Sequence, residues 1–294
     1  MSAGVTESVA AGTLYVVATP IGNLGDLSPR AREVLARVQL IAAEDTRHTR
    51  QLLQAFGIDT ALTSLHEHNE MHKSAALITR LAAGESLALV SDAGTPLISD
   101  PGFDLVAAAR ARGVSVVVIP GPCAAIAALS IAGLPTDRFV FEGFLPAKSA
   151  ARVTRLRELA TEQRTTIFYE APHRLPEVLR DLAAEFGADR AASVSRELTK
   201  RFETTYTGTL AQLCEIAAQN ADMSRGEIVI IVSGDPAPPS SAQALNADQL
   251  LRALLEELSP SQAAKVAAKL TGEKRSELYA RATQFGQKDN EQSE

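Results

Sequence analysis

Four short β-branched runs in the first half of this chain, each closed by a turn of small residues and followed by a helical pattern, leave little choice of fold. The runs are LYVVAT at 14–19, VQLIAAED at 38–45, SLALVSD at 86–92 and VSVVVIP at 114–120. A strand with one wet face alternates polar and apolar residues. These do not, so both faces are covered, as in a parallel sheet with crossover helices above and below. Helix starts are equally legible. Ser28-Pro29 opens one helix and Asp100-Pro101-Gly102 precedes another. Residues 12–136 are therefore expected to form a doubly wound parallel lobe.

Beyond residue 137 the texture changes. FVFEGF, TTIFYEAP, ASVSREL, TTYTGTL and EIVIIVSG read as strands, and two of them lie too close in sequence for a crossover helix, so a second α/β lobe with a mixed sheet is expected over 137–234. Its helices are predicted at 149–161, 173–186 and 209–219. The segment DPAPPSSAQALN, 235–246, has the composition of a linker. Three amphipathic helices follow over 247–286, with Ser259 as a cap and Gly272 as a stop, in the spacing of a helix-turn-helix. The tail, 287–294, reads as disordered. A chain of 294 residues accommodates this α/β arrangement of two lobes plus a small helical appendage.

Charge and cysteine content exclude several classes. The net charge is -6, so coating nucleic acid by charge alone is excluded, although five basic residues against two acidic ones between Lys148 and Arg164 form a local exception. Six basic against five acidic residues over 247–285 weaken a DNA-binding role for the appendage. No apolar run is long enough to span a bilayer, and the start of the chain lacks the basic and apolar segments of an export signal. Cys123 and Cys214 form no metal or redox spacing and fit a reducing cytosol. His66, His68 and His72 raise zinc, with His66 and His68 sharing a strand face, but no cysteine or evident fourth ligand joins them; no metal is expected.

Ligands of open parallel sheets bind beyond the carboxyl ends of the strands. Four turns fall there: Thr19-Pro20-Ile21-Gly22-Asn23, Glu44-Asp45-Thr46-Arg47, Ser91 to Gly102 (SDAGTPLISDPG), and Pro120-Gly121-Pro122-Cys123-Ala124-Ala125. Glycines let the backbone approach a ligand and prolines stiffen the turns. Asp92 can accept hydrogen bonds, and a helix starting near Gly102 is expected to offer free backbone amides. Neither Gly-x-Gly-x-x-Gly nor a Walker-type Gly-Lys-Ser/Thr occurs, so nicotinamide and nucleoside triphosphate lose their usual support.

Taken together in this order, TPIGNLGD, AEDTRHTR, LVSDAGTPLISDPG, PGPCAAIAAL, FYEAPHR and SRELTKRFE resemble the tetrapyrrole (corrin/porphyrin) methylase superfamily, and within it the ribosomal branch, over about residues 12–285. Tetrapyrrole-modifying members carry Gly-x-Gly-Pro-Gly after the first strand, whereas this chain has Pro20-Ile21-Gly22-Asn23. The resemblance implies S-adenosyl-L-methionine as methyl donor, folded between the lobes, and a homodimer. It further implies 2'-O-methylation of a decoding-centre cytidine, cytidine 1402 of 16S rRNA, in the small ribosomal subunit, with no DNA partner. The alternatives are methylation of a tetrapyrrole precursor and a ligand-sensing DNA-binding regulator.

Carried over position by position, the donor contacts are Pro20, Gly22, Asp92, Ala93, Gly94, Pro120, Ala124 and Ala125 in the first lobe and Tyr169 and Glu170 in the second, with Gly226 to Val229 near the adenine. A ribose hydroxyl is a poor nucleophile, and a side chain must share or take its proton. Candidates are Glu44, Asp45, Glu170, Glu197 and Lys200, with Lys200 favoured alongside Glu197 or Glu170 because Arg196 to Arg201 packs acid and base together at a strand end. RNA contacts are expected from Arg47, Arg50, Lys148, Arg152, Lys200, His173 and Arg174, and a substrate-rim role from His66, His68 and Asn69.

Overall fold

A computed structural model describes residues 9–236 and 247–291. The chain divides into two compact units, Met1–Asp235 and Pro236–Glu294. The larger opens with β1 (Thr13–Val17), α1 (Pro29–Arg37), β2 (Leu40–Ala43), α2 (Thr46–Ala55), β3 (Leu62–Ser64), α3 (Glu70–Ala82), β4 (Leu87–Val90), α4 (Phe103–Ala111), β5 (Ser115–Ile119) and α5 (Ala124–Ile131). The five strands form one sheet in the order β3-β2-β4-β1-β5. Every pairing in it is parallel. As the unbroken apolar runs require, β2 and β4 are buried at every position, whereas β5, at the sheet edge, leaves Ser115 and Val118 exposed instead of being covered on both faces. One apolar cluster around Leu35, Ile41 and Val90 covers one face and another around Leu65, Leu81 and Leu89 the other. Each fully buried leucine or isoleucine contributes roughly 1.5–3 kcal/mol. Ser28 caps α1 by accepting from the Ala31 amide, with Pro29 in the first turn, where its missing N–H costs nothing.

The second sheet follows from β6 (Phe139–Phe144), α6 (Ser149–Leu159), β7 (Thr165–Glu170), α7 (Leu175–Phe186), β8 (Ala191–Arg196), β9 (Thr204–Thr209), α8 (Leu210–Gln219) and β10 (Ile228–Val232). Its order is β6-β7-β10-β8-β9. β6 and β7 run parallel, while β7, β10, β8 and β9 pair antiparallel in turn. The expected mixed sheet is thus present, with the β8–β9 hairpin as the pair too close for a crossover. Thr209 and Gln212 close a capping box at the start of α8. The lobes share a core: Ala125, Ala128 and Leu129 of α5 pack on Ile167, Val229 and Ile231 of the second sheet.

The histidine segment departs from expectation. β3 ends at Ser64, and His66 to Asn69 form a turn, not a strand with a shared face. The Asn69 side chain accepts from the His66 amide and lies 2.8 Å from His66 Nε2, so the pair closes the turn onto α3.

The second unit holds α9 (Ala247–Leu255), α10 (Pro260–Thr271) and α11 (Arg275–Glu291). They pack around Leu251, Ala264, Ala267 and Leu278. Ser259 and Gln262 form a capping box, and Gly272 stops α10 at φ 75°, the left-handed conformation that glycine adopts without strain. α11 continues through 287–291, part of the stretch whose composition reads as disordered. Most of the predicted linker, 237–246, and the last residues, 292–294, lie outside the described residues. Among those described, no helix is long and apolar enough to cross a membrane.

Candidate active site

The four turns of the first lobe are stitched into one rim. Thr19 and Gly94 exchange backbone hydrogen bonds of 2.9 and 3.1 Å, joining the turns after β1 and β4. Thr95 Oγ1 donates to the Pro122 carbonyl, adding the turn after β5. Asp92 Oδ1 accepts from the Asp45 amide at 2.9 Å, adding the turn after β2. Space then dictates residue type. Gly94 has φ 81°, and a Cβ on Gly121 would stand 2.9 Å from that of Ala18. Leu97 and Ser99 hold positive φ of 74° and 66° without being glycine, strain that the surrounding bonds must impose.

The amides at the start of α4 are not free, contrary to the sequence reading. Glu70, buried at the head of α3, accepts from the Gly102, Asp104 and Leu105 amides at 3.1, 2.8 and 3.2 Å. A carboxylate on a helix N-terminus is favoured by both hydrogen bonding and the helix dipole. Here it anchors the far end of the Ser91–Gly102 turn.

The opposite rim comes from the second sheet. At the end of β7 the Tyr169 hydroxyl accepts from the Ala125 amide at 3.1 Å, pinning the two lobes together. Burial holds its proton well above the ordinary phenol range. Beside it, Glu170 is 3% exposed. Its Oε1 accepts from the Ala171 amide and lies 3.2 Å from Arg174 Nε, while Oε2 has no protein partner. Burial pushes the Glu170 carboxyl up, against the Ala171 amide and the Arg174 charge. Further along, Lys200 Nζ bridges Glu197 and Glu227 at 3.0 and 3.2 Å. Its methylenes cross to the first lobe, where a Cβ on Gly22 would come within 2.3 Å of Lys200 Cγ. Glu197 and Thr199 are the other two non-glycine residues at positive φ among the described residues.

Between the rims lies a cleft of about 450 Å³. Ile21, Ala93, Gly94, Ala124, Leu198 and Val229 give it apolar or small walls, and Thr95, Ser99, Tyr169 and the Gly226–Ile228 backbone add polar ones. Five acidic residues line it, Glu44, Asp92, Asp100, Glu170 and Glu227, the Glu170 side chain itself buried behind the wall, and among the described residues no lysine, arginine or histidine does. Mutual repulsion and burial show in their protonation. Burial first, then the neighbouring acids Glu44 and Asp92, raise Asp100 to about 6, opposed by a hydrogen bond from Ser91. Burial likewise raises Glu44. Such a cleft repels phosphate-rich cofactors and suits a small cation.

Of the donor contacts read from the sequence, Asp92, Ala93, Gly94, Ala124, Tyr169 and Glu170 line the cleft, as does Gly226 to Val229. Pro20, Gly22, Pro120 and Ala125 do not; they shape the turns behind it. Of the proton acceptors, Glu44 and Glu170 are in the cleft. Asp45 is turned away, its carboxylate locked to Arg47 by 2.7 and 3.1 Å bonds that hold it far below the usual range. Glu197 and Lys200 sit beside the cleft as an ion pair. For Lys200, the Glu197 and Glu227 carboxylates outweigh burial and raise its pKa, which keeps the ammonium charged, the wrong state for a base.

The RNA contacts need correction in two places. Arg152 is fully buried, its guanidinium bonded to Asp181 and Glu177 at 2.6 Å each, so it is structural. Arg174 spends its guanidinium on the Leu145 and Pro146 carbonyls and on Glu170. The other arginines of the basic cluster are neutralised as well, with Arg155 on Glu142 and Glu158, Arg157 on Glu185, and Arg164 on Glu162. Arg47, Arg50, Lys148 and His173 remain exposed. Sequence reasoning left out Ile21, Ile98, Phe144 and Leu198 from the site; apolar residues in turns or at a strand end carry no chemical signature. Asp100 was legible only as a helix lead.

Comparison with known proteins identifies the family. The tetrapyrrole (corrin/porphyrin) methylase family matches residues 13–214, and the RsmI C-terminal HTH domain family matches 241–285. The chain is 59% identical over 91% of its length to ribosomal RNA small subunit methyltransferase I of Xylella fastidiosa (strain Temecula1), covering 98% of that protein. It is 54% identical over 94% of its length to the protein of the same name from Pseudomonas aeruginosa, again covering 98% of it. Uroporphyrin-III C-methyltransferase of Thermus thermophilus, solved with S-adenyl homocysteine, shares the fold at a TM-score of 0.51 and 18% identity, over 74% of this chain and 96% of that one. The chain belongs to the tetrapyrrole methylase family and, within it, to the ribosomal RNA small subunit methyltransferase I group.

Proposed function

We propose that this protein transfers a methyl group from S-adenosyl-L-methionine to small-subunit ribosomal RNA, at the ribose 2'-hydroxyl of a decoding-centre cytidine of 16S rRNA. The observation that carries the donor assignment is the all-acidic cleft. S-adenosylmethionine supplies a methyl carbon on a positively charged sulfur, and it carries an ammonium besides. Glu44, Asp92 and Asp100 face those charges, while Ile21, Ala124 and Val229 accept a flat ring. The volume lies within the ~300–1,000 Å³ of small-molecule sites.

Glu170 is the side chain that takes the hydroxyl proton. It is the second-rim carboxylate that combines burial, a raised pKa and an oxygen without a protein partner. As the new carbon–oxygen bond forms and the carbon–sulfur bond breaks, the proton passes to Glu170 Oε2, and the Ala171 amide and Arg174 hold Oε1 in place. Tyr169 and Leu198 exclude water from the cleft. Arg50 and Lys148 are exposed cations available to phosphates, joined by Arg47, which is exposed though paired with Asp45, and by the exposed imidazole of His173. The homodimer and cytoplasmic setting belong to this reading. Exposed Val118 on the edge strand β5, with Ile126 and Ile131 of α5, supports a second copy as partner.

The test is transfer of labelled methyl from the donor to small subunits isolated from a strain lacking the enzyme, with nuclease mapping of the label. The expected product carries the label on the ribose oxygen of one cytidine. Label on a base or in protein, or transfer to a corrinoid precursor and none to subunits, would overturn the assignment.

A further inference from the structure

A β-bulge in the second sheet aims an aromatic ring into the cleft. In a regular strand, residues three apart point to opposite faces. Phe141 and Phe144 on β6 are three apart, yet both rings meet Tyr169 edge-on, at centroid distances of 5.0 and 5.7 Å. The cause is a register shift: Phe141 pairs with Ile167, but Gly143 pairs with Phe168 and Phe144 with Tyr169, so Glu142 is an extra residue. Gly143 takes the turn at φ 75°, and a Cβ there would stand 3.2 Å from Ser99 Oγ on the opposite rim. Arg155 holds Glu142 outward with bonds of 2.6 and 2.8 Å. Bulges beside active sites commonly re-aim a side chain.

The ring so placed is not core. Phe144 lines the cleft, yet it is 57% exposed, while Phe168 on the neighbouring strand is fully buried. Leaving most of an aromatic ring in water forgoes burial energy, and here a glycine bulge, an ion pair and a tyrosine fixed by Ala125 all enforce that position. Phe144 is paired in register with Tyr169, the residue before Glu170.

We propose that Phe144 is the stacking platform for the acceptor nucleobase: an unstacked base of single-stranded RNA lies against its open face, which brings the attached ribose towards Glu170. Sequence-tolerant stacking on an aromatic ring is how proteins hold bases pulled out of RNA structure. It also suits a cleft whose acidity repels phosphate, because stacking needs no cation. The proposal rests on the ribose methylation reading and names what holds the base.

Phe144→Leu and Phe144→Trp, compared with the parent protein, give the test, read as methyl transfer to subunits from the lacking strain and as donor affinity by calorimetry. The leucine variant is expected to lose on the order of ten- to a hundredfold in kcat/KM for the subunit, the equivalent of one stacked base. Its donor affinity stays within about twofold of the parent, which also reports that it folds, and tryptophan retains the activity. Equal kcat/KM in the leucine variant overturns the platform, as does a loss of donor affinity matching the loss of activity, which would make Phe144 part of the donor wall. Absence of transfer by the parent protein would instead overturn the ribose methylation reading, and the platform with it.

Discussion

The two rims of the cleft are built from different materials. On the first, the backbone sets the shape: Thr19 and Gly94 exchange amide bonds, the Asp45 amide is held by the Asp92 carboxylate, Gly94 takes a left-handed φ, and a side chain at Gly121 would collide with Ala18. The second rim is made of long side chains on a mixed sheet, with Tyr169, Glu170, Phe144 and the Lys200 bridge projecting from strand ends. Backbone bonds fix a shape and cannot titrate; side chains can move protons and meet varied partners. On the proposed function, the first rim holds a small cation and the second handles the acceptor.

The division breaks most sharply at Glu170. Glu170→Gln keeps the volume and removes the proposed base, so kcat should fall by at least about a hundredfold, the usual worth of a positioned general base. Donor affinity, set by the other rim, should change by no more than a few-fold. Single-turnover transfer and donor titration on the same variant separate the two. If glutamine at 170 transfers at the parent rate while Asp100→Asn does not, the chemistry sits on the first rim and the assignment inverts.

Asp100 gives the next largest effect. Its carboxyl is raised from 3.8 to about 6, chiefly by burial, so the folded protein holds a proton there that the unfolded chain has lost. The stability this contributes is fully present below the unfolded value and is lost as pH rises through about 6. A bound cation acts in the opposite sense, favouring the ionised form and expelling the proton. Donor affinity should therefore weaken as pH falls below about 6, by at most about tenfold per pH unit for one proton. Calorimetry in buffers of different ionisation heat should detect proton release, and Asp100→Asn should flatten the dependence. A flat profile in the parent protein would remove Asp100 from the donor site.

The same contrast explains what was legible in the sequence. Both sheets could be read because buried parallel strands are long apolar runs and the β8–β9 hairpin leaves no room for a crossover. β3 is not legible because Leu62-Thr63-Ser64 is too short to show a pattern. First-rim residues were legible where glycine and proline mark a turn. Second-rim roles were harder, since a charged side chain reads the same whether free or paired. Arg152 looks like an RNA contact until Glu177 and Asp181, on a helix more than twenty residues away, close around it. Lys200 looks like a base until Glu227 arrives from β10's approach. The bulge at Glu142 is invisible in FVFEGF except as a glycine in a strand, which often marks one.

Lys200 supplies the smallest and most discriminating test. Lys200→Met keeps the methylenes that pack on Gly22 and removes the charge that bridges Glu197 and Glu227. The bridge is partly exposed, so its loss should lower stability by about 1 kcal/mol or less. Because the Lys200 pKa is raised above 10.5, its contribution is present at neutral pH and lost only in strongly alkaline solution. Turnover should drop a few-fold, far less than in Glu170→Gln, as measured by the same single-turnover transfer. Gly22→Ala should behave similarly by pushing the lysine arm aside. A methionine variant as inactive as Glu170→Gln would mean that the ammonium itself acts on the acceptor, and the ion pair would then be part of the chemistry of the second rim, not its brace.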